Sequence, residues 1–193
     1  TIKFTNVVND GYNQLAAFRF EADATVNALT IDMEEAISEF QGRFRAISAK
    51  SNLTVDGCTF IGNGSTNNTR AIIFGEGAGN VDVTVSITNS EFIGWRRGIS
   101  DNENAKDVSK VVISDNTFND ANVSVSASEL VEIKDNEFTD SLVNITSYTS
   151  TDTLEVIATG NTLAEGDNTI TVVASTASPY KFTPAVMEAL DLS

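Results

Sequence analysis

One six-residue pattern recurs along this chain and limits what it can fold into. Its clearest copies are Ile113-Ser-Asp-Asn-Thr-Phe118 and Ile133-Lys-Asp-Asn-Glu-Phe138. Ile87-Thr-Asn-Ser-Glu-Phe92 and Val55-Asp-Gly-Cys-Thr-Phe60 match them in register, and Ala158-Thr-Gly-Asn-Thr-Leu163 is a weaker fifth copy. Looser copies begin at Phe4 and Ile31. Two residues past the anchors stand Asn6, Met33, Gly57, Asn89, Asp115, Asp135 and Gly160. Apart from Met33, these are the residue types that best tolerate a left-handed backbone in a tight bend. Ile99, Val125, Ile145 and Ile170 fall twelve residues past their anchors and open a further strand.

Self-similarity at this spacing marks a repeat architecture, in which one unit cannot bury its apolar side alone and stability accrues through neighbours. Strand, tight bend, apolar residue, loop and strand again predict an all-β right-handed parallel β-helix, a solenoid of about seven coils. Its inward columns are ladders of Ile, Val and Phe, and its bend columns include an asparagine ladder. A left-handed hexapeptide coil demands a stricter period, and a β-sandwich has no reason to repeat one bend motif. The prediction divides the chain into a β-helix domain over residues 1–178 and a C-terminal cap or exit segment over 179–193. In the latter, Pro184 suits a first helical turn, and Val186, Met187 and Leu190 have helical spacing.

The repeats, through their Ile-x-Asp/Asn-Asn-x-Phe bends, resemble the parallel β-helix repeats of the pectin-lyase-like superfamily, which includes pectate lyases, polygalacturonases, phage tailspikes and many surface proteins. The resemblance covers residues 1 to roughly 175. It implies a fold, and one scaffold of this kind hosts many functions. The catalytic signatures of its polygalacturonase-like members are not found here, and their Gly-His-Gly is impossible in a chain without histidine. No signature segment of the calcium-dependent lyases matches either, and no catalytic residue is assigned.

Charge and composition exclude some functions. With 27 acidic and 12 basic residues the net charge is −15, which repels nucleic acid and anionic membranes. No apolar run approaches a membrane span. The lone Cys58 and the absence of histidine exclude an internal disulfide and a Cys/His zinc site. No cofactor is implied; carboxylates are available for Ca²⁺, but no Asp-x-Asp-x-Asp-Gly loop is present. The start at Thr1, without Met, reads as a processed or excised piece of something larger.

The most unusual polar feature is the arginine distribution, since all six lie before residue 98. Arg45-Ala-Ile47, Arg70-Ala-Ile72 and Arg97-Gly-Ile99 share a pattern. If the isoleucines stack with Phe20, then Phe18, Arg45, Arg70 and Arg97 form one column, with Arg43 and Trp95 in another where cation–π contact is possible. Such a cationic stripe beside an aromatic platform suits an acidic sugar chain, because guanidinium and carboxylate pair in bidentate geometry. The competing reading pairs each Arg with a loop acid such as Glu35, Glu39, Glu76, Asp101 or Glu103. The arginines share parity with the inward isoleucines, so they must sit at a corner or be paired.

Trp95, in Gly94-Trp-Arg-Arg-Gly98, either stacks on sugar or packs over a coil edge; Tyr12 and Tyr148 are weaker platforms. Glu34-Glu35, Asp115 and Asp135 are possible acid–base carboxylates, although Asp115 and Asp135 are better explained as turn residues. Cys58 reads as a small inward residue, and five Asn-x-Ser/Thr sequons are expected by chance in so Asn- and Thr-rich a chain. Loops 62–69, 75–80 and 101–110 project from the middle coils and place any site there. The expectation is therefore a non-catalytic extracellular or cell-surface module that contacts polysaccharide, as in adhesion, at Arg43, Arg45, Arg70, Trp95, Arg96 and Arg97. The alternatives are a polysaccharide lyase or hydrolase, and a structural stalk or spacer.

Overall fold

The computed structural model describes residues 1–4, 14–35, 43–64, 69–75, 82–102, 108–147, 154–164, 166–173 and 181–182. Among them every regular element is a strand, and all strand pairings are parallel. The strands are numbered β1 to β19 along the chain.

One sheet consists of β3 (Ala24–Asn27), β6 (Leu53–Asp56), β9 (Val83–Thr88), β11 (Val108–Ser114), β13 (Leu130–Lys134), β16 (Glu155–Thr159) and β19 (Lys181–Phe182), in that spatial order. The second sheet has two runs of strands that share its longest members. A short-strand run comprises β1 (Ile2–Lys3), β4 (Thr30–Asp32), β7 (Thr59–Ile61), β10 (Glu91–Asp101), β12 (Thr117–Ala127), β14 (Glu137–Thr139) and β17 (Thr162–Leu163). A parallel run passes through β2 (Gln14–Phe20), β5 (Arg43–Ala49), β8 (Arg70–Phe74), β10, β12, β15 (Leu142–Ser147) and β18 (Thr169–Val173). Every strand thus pairs with its counterpart one repeat away in sequence, which is why a repeated motif becomes a stacked column.

The bends after β3, β6, β9, β11, β13 and β16 each turn on one left-handed residue: Ala28, Gly57, Asn89, Asp115, Asp135 and Gly160 all have positive φ. Of these, Ala28 alone is neither Gly nor an Asn/Asp, and it departs from the pattern. It also exposes a misalignment. Val26, not Ile31, stands in register with Val55, and Ile31 pairs with Phe60. The looser copy anchored at Ile31 was therefore five residues out of step, and the one at Phe4, which lines up with Met33, was seven. Met33 is a buried residue after β4 rather than a bend residue. Asn6 lies outside the described residues.

Inward columns are apolar, as the alternation requires. Val26, Val55, Ile87, Ile113, Ile133 and Ala158 form one. Phe60, Phe92, Phe118 and Phe138 form another, their rings stacked at 5.0, 4.9 and 4.9 Å between centroids. All four rings are fully buried. A third column runs Phe18, Ile47, Ile72, Ile99, Val123, Val143 and Ile170. Val125 and Ile145, expected beside Ile99, sit one inward position further on. The cause is local: Trp95 pairs with Ala121 and Ile99 with Val123, so Arg96, Arg97 and Gly98 occupy the space of the single residue Asn122.

Beside the phenylalanines lies the asparagine ladder. Asn116 and Asn136 are buried, and each accepts at Oδ1 the backbone N–H of the preceding repeat, from Ser90 to Asn116 (2.9 Å) and from Asn116 to Asn136 (3.0 Å). Asn161 continues the series for Asn136 at 3.1 Å. Their Nδ2 groups reach back to the carbonyls of Ile87, Ile113 and Ile133. Cys58 holds the equivalent rung, its thiol directed at the Val26 carbonyl, and it is buried.

The expected helical stretch Pro184–Leu192 lies outside the described residues, and no helix is seen among those described. Lys181–Phe182, within the segment assigned to the cap, adds a strand to the first sheet beside β16.

Candidate functional site

The arginine column forms as the shared pattern suggested. Arg45, Arg70 and Arg97 stand in direct register on β5, β8 and β10. Its foot is different: Ala16 precedes Arg45, and Phe18 stands below Ile47, one inward position away. Arg45 and Arg70 are buried, Arg97 is half-buried and Arg96 is exposed. Each of the four engages an interaction partner. Burying a guanidinium is tolerable only with such compensation. The burial of Arg45 and Arg70 is therefore compensated within the fold. Arg43 opens β5 opposite Gln14, and its side chain lies outside the described set, as do Tyr12 and Tyr148.

Trp95 corrects the platform idea. It is completely buried, and its indole N–H donates to the Phe60 carbonyl at 3.1 Å. A Cβ at Gly62 would stand 2.2 Å from the Gly94 carbonyl oxygen and 2.9 Å from Trp95 Cδ2. Gly62 therefore admits the tryptophan of the next repeat, and Gly94, at φ +66°, turns the chain so that the ring points inward. No face of that ring is left for a sugar. The signal was present in the sequence: a glycine on each side of the contact, one repeat apart.

The two-residue expansion after Trp95 is a bulge, the kind of feature that re-aims side chains at the rim of a sheet. Gly98 lets it close over the core, since a Cβ there would sit 3.3 to 3.5 Å from Ala121, Phe92 and Phe118. Arg96 is pushed out to solvent, and its backbone carbonyl accepts from Asn122 Nδ2 at 3.0 Å. Asn122 Oδ1 in turn accepts the Leu142 N–H at 2.7 Å, so the bulge is tied across two repeats.

A second column of bends was not read from the sequence. Gly94, Asp120, Asp140 and Gly166 have positive φ. Ser141 accepts the Ala121 N–H at Oγ, and Asn168 Oδ1 accepts the Ser141 N–H, a shorter version of the asparagine ladder. Two of its members carry a sequence mark, Asp before a small residue, in Asp120-Ala121 and Asp140-Ser141.

The acidic candidates are committed to backbone geometry and cross-repeat contacts. Asp115 and Asp135 occupy left-handed bends with exposed side chains, and a Cβ on Gly160 would collide with Asp135 Oδ1 at 1.9 Å. They border a shallow open groove with Asn116, Asn136, Glu137 and Thr162. Glu35 pairs with Lys3 at 2.9 Å, and the Glu34 N–H bonds to Asp32. Asp23 accepts from Ser51 and from both the backbone and side chain of Asn52, which hold its carboxyl below the usual range. Asn89 and Thr88 do the same for Asp56, and Lys50 with Arg19 for Glu21. Burial pushes the Cys58 thiol up, which leaves it protonated and inert. Among the described residues no group of three or more Cys, Asp or Glu is arranged to hold a metal ion.

Comparison with known proteins supplies no relative: no protein-family model matches the chain, and no curated protein or solved structure is significantly similar to it. No helix among the described residues is long and apolar enough to cross a membrane.

Proposed function

We propose that this chain is a non-catalytic module built as a right-handed parallel β-helix of the pectin-lyase-like kind, serving outside the cell or on its surface as a rigid spacer with polar lateral faces. One observation carries the reading. Among the described residues, several side chains with chemical potential hold one repeat to the next: Asn116 and Asn136 in the ladder, Asp23 on Asn52, Asp135 over Gly160, and the Trp95 indole on Phe60. A hydrolase or lyase needs an acid, a base and a charge neutraliser that converge on one bond, and these groups are distributed along the stack instead.

A second reading, contact with an acidic polysaccharide, is favoured by the bulge that presents Arg96 to solvent with Arg97 half-exposed beside it. The sugar chain would lie along the outside of β10 rather than on Trp95. Incubation of the protein with a panel of neutral and acidic polysaccharides tests both. The spacer reading expects neither depletion of the protein nor new reducing ends or unsaturated products. Depletion by acidic polymers that Arg96→Ala abolishes would establish the second reading, and product release would overturn both.

A further inference from the structure

We propose that Asn144 is an attachment site for an N-linked oligosaccharide, a modification that rests on the reading that the chain serves outside the cell. An Asn-x-Ser/Thr segment is an acceptor where its amide is reachable at the surface, and the fold sorts the five such segments of this chain. Asn52 and Asn122 are committed between repeats. Asn52 donates to Asp23 at 3.1 Å and accepts the Thr84 N–H at 2.8 Å. Asn122 donates to the Arg96 carbonyl at 3.0 Å and accepts the Leu142 N–H at 2.7 Å. Asn63 is half-buried and engages a partner, and Asn67 lies outside the described residues.

Asn144 differs in each respect. It is exposed in the middle of β15, and its side chain makes no hydrogen bond with the described residues. Alternation along the strand sends Asn144 and Thr146 to the same outer face, while Val143 and Ile145 are buried. The amide and the hydroxyl that define an acceptor therefore lie on one side. The register partners of Asn144 are Ser124 on β12 and Thr171 on β18, both with short side chains that leave room for a sugar. Strands flank Asn144 on either side, so its exposure belongs to a lateral face of the stack. Leu142, two residues earlier on that face, is 40% exposed. It stands about 7 Å along the strand, close enough for a first sugar to rest its apolar C–H face on it.

Attachment forms a bond between Asn144 Nδ2 and the anomeric carbon of the first sugar. The bond from that carbon to the diphosphate of a lipid-linked oligosaccharide breaks. The lipid diphosphate leaves with the electron pair, and the amide gives up one proton. The transferring enzyme belongs to the exporting cell, and this chain supplies only the acceptor.

The test uses the protein recovered from its own source, with the cell exterior and the cell interior collected separately. Release of N-linked sugar by an amidase in heavy-oxygen water turns each occupied asparagine into a labelled aspartate, which peptide mapping locates. The exterior protein should carry label at residue 144, about fivefold or more above residues 52 and 122. Exterior protein without label at 144 overturns the site and leaves the spacer reading standing, whereas a protein confined to the interior overturns both. Two variants made by the same source separate attachment from folding. Asn144→Gln should lose the sugar with an unchanged midpoint in urea. Asn52→Gln, which breaks the bonds to Asp23 and to the Thr84 N–H, should keep the sugar while its midpoint falls. Sugar that persists on the Asn144→Gln protein overturns the assignment.

Discussion

Replacement of Asn136 measures how much of the stack rests on hydrogen bonds rather than on apolar packing. Its amide is buried and makes four bonds. Oδ1 accepts the backbone and side-chain N–H of Asn116 at 3.0 Å each, and Nδ2 donates to the Ile113 carbonyl at 2.9 Å and to Asn161 Oδ1 at 3.1 Å. Asn136→Ala leaves two buried backbone groups, the Asn116 N–H and the Ile113 C=O, without their partner. At about 1–3 kcal/mol for each such group, the loss comes to about 2–6 kcal/mol. For a chain of this length that corresponds to a fall in Tm of about 5–20 °C. Asn136→Leu separates the two contributions, since it fills the volume and leaves the same groups unpaired; it should cost as much as alanine. Asn136→Ser should cost about half as much, because a serine at this rung can copy Ser90, whose Oγ accepts the Cys58 N–H at 3.1 Å and donates to the Thr88 carbonyl. Urea titration followed by far-UV circular dichroism and by Trp95 emission reads all three. A leucine variant that recovers most of the alanine loss would refute the reasoning and assign the column to packing.

Four further outcomes follow from neighbouring positions. Phe118 stacks on a ring at 4.9 Å above and below, whereas Phe60 has one ring neighbour and Ile31 on its other side. With each ring pair worth about 0.5–1.5 kcal/mol beyond area burial, Phe118→Leu should lose about 0.5–1.5 kcal/mol more than Phe60→Leu in the same titration, and equal losses would mean that stacking contributes nothing special. The Cys58 thiol should resist a thiol reagent until urea unfolds the chain, and Cys58→Asn should fold with Asn Nδ2 on the Val26 carbonyl, stability staying within about 1 kcal/mol of the parent; a larger loss means the rung has no room. Acid should weaken the fold through Glu21, Asp23 and Asp56, whose carboxyls are depressed in the folded state. Their contribution is present above the unfolded carboxylate range and is lost as pH falls through the folded values. Asp120 has the opposite sign, raised by burial and then by Asp140, so its ionised form costs stability at neutral pH. Asp120→Asn, which tolerates the φ of +48° there, should raise Tm at pH 7 by roughly 1–3 °C and have no effect once pH falls below the carboxylate range. A drop in Tm at pH 7 would show that the carboxylate serves the bend.

The parallel strands were legible in the sequence because their cause is local and repeated. A left-handed bend selects Gly, Asn or Asp, the next position selects a residue that can bond across repeats, and the third selects Phe. Where one of these selections relaxes, the reading slipped. Ala28 carries the bend with a residue that does not advertise it, so the first full repeat was aligned on Ile31, five residues late. The second bend was missed because Asp120-Ala121 and Asp140-Ser141 bond through short side chains or the backbone and leave a weaker mark than Asn-Asn. The extra residues at Arg96 and Arg97 displaced Val125 and Ile145 from their expected column, because a bulge changes the count without changing the pattern around it.

The site was less legible for a related reason. Register can be read from spacing, and Arg45, Arg70 and Arg97 do share a column. Which way that column faces depends on the bend before it, and this bend was not recognised. Alternation alone placed the arginines with the inward isoleucines, and Arg45 and Arg70 are indeed buried. An aromatic residue in a Gly-Trp-Arg-Arg-Gly segment resembles an exposed platform, yet glycine admits a neighbour as readily as it makes a loop. Gly62, one repeat earlier, has no side chain because Trp95 occupies that place. In a stack of repeats the meaning of a residue is set by the residue one repeat away. Surface chemistry can therefore be assigned only after each column has been followed through the bulge, which turns Arg96 to the exposed side and leaves Arg97 half-buried.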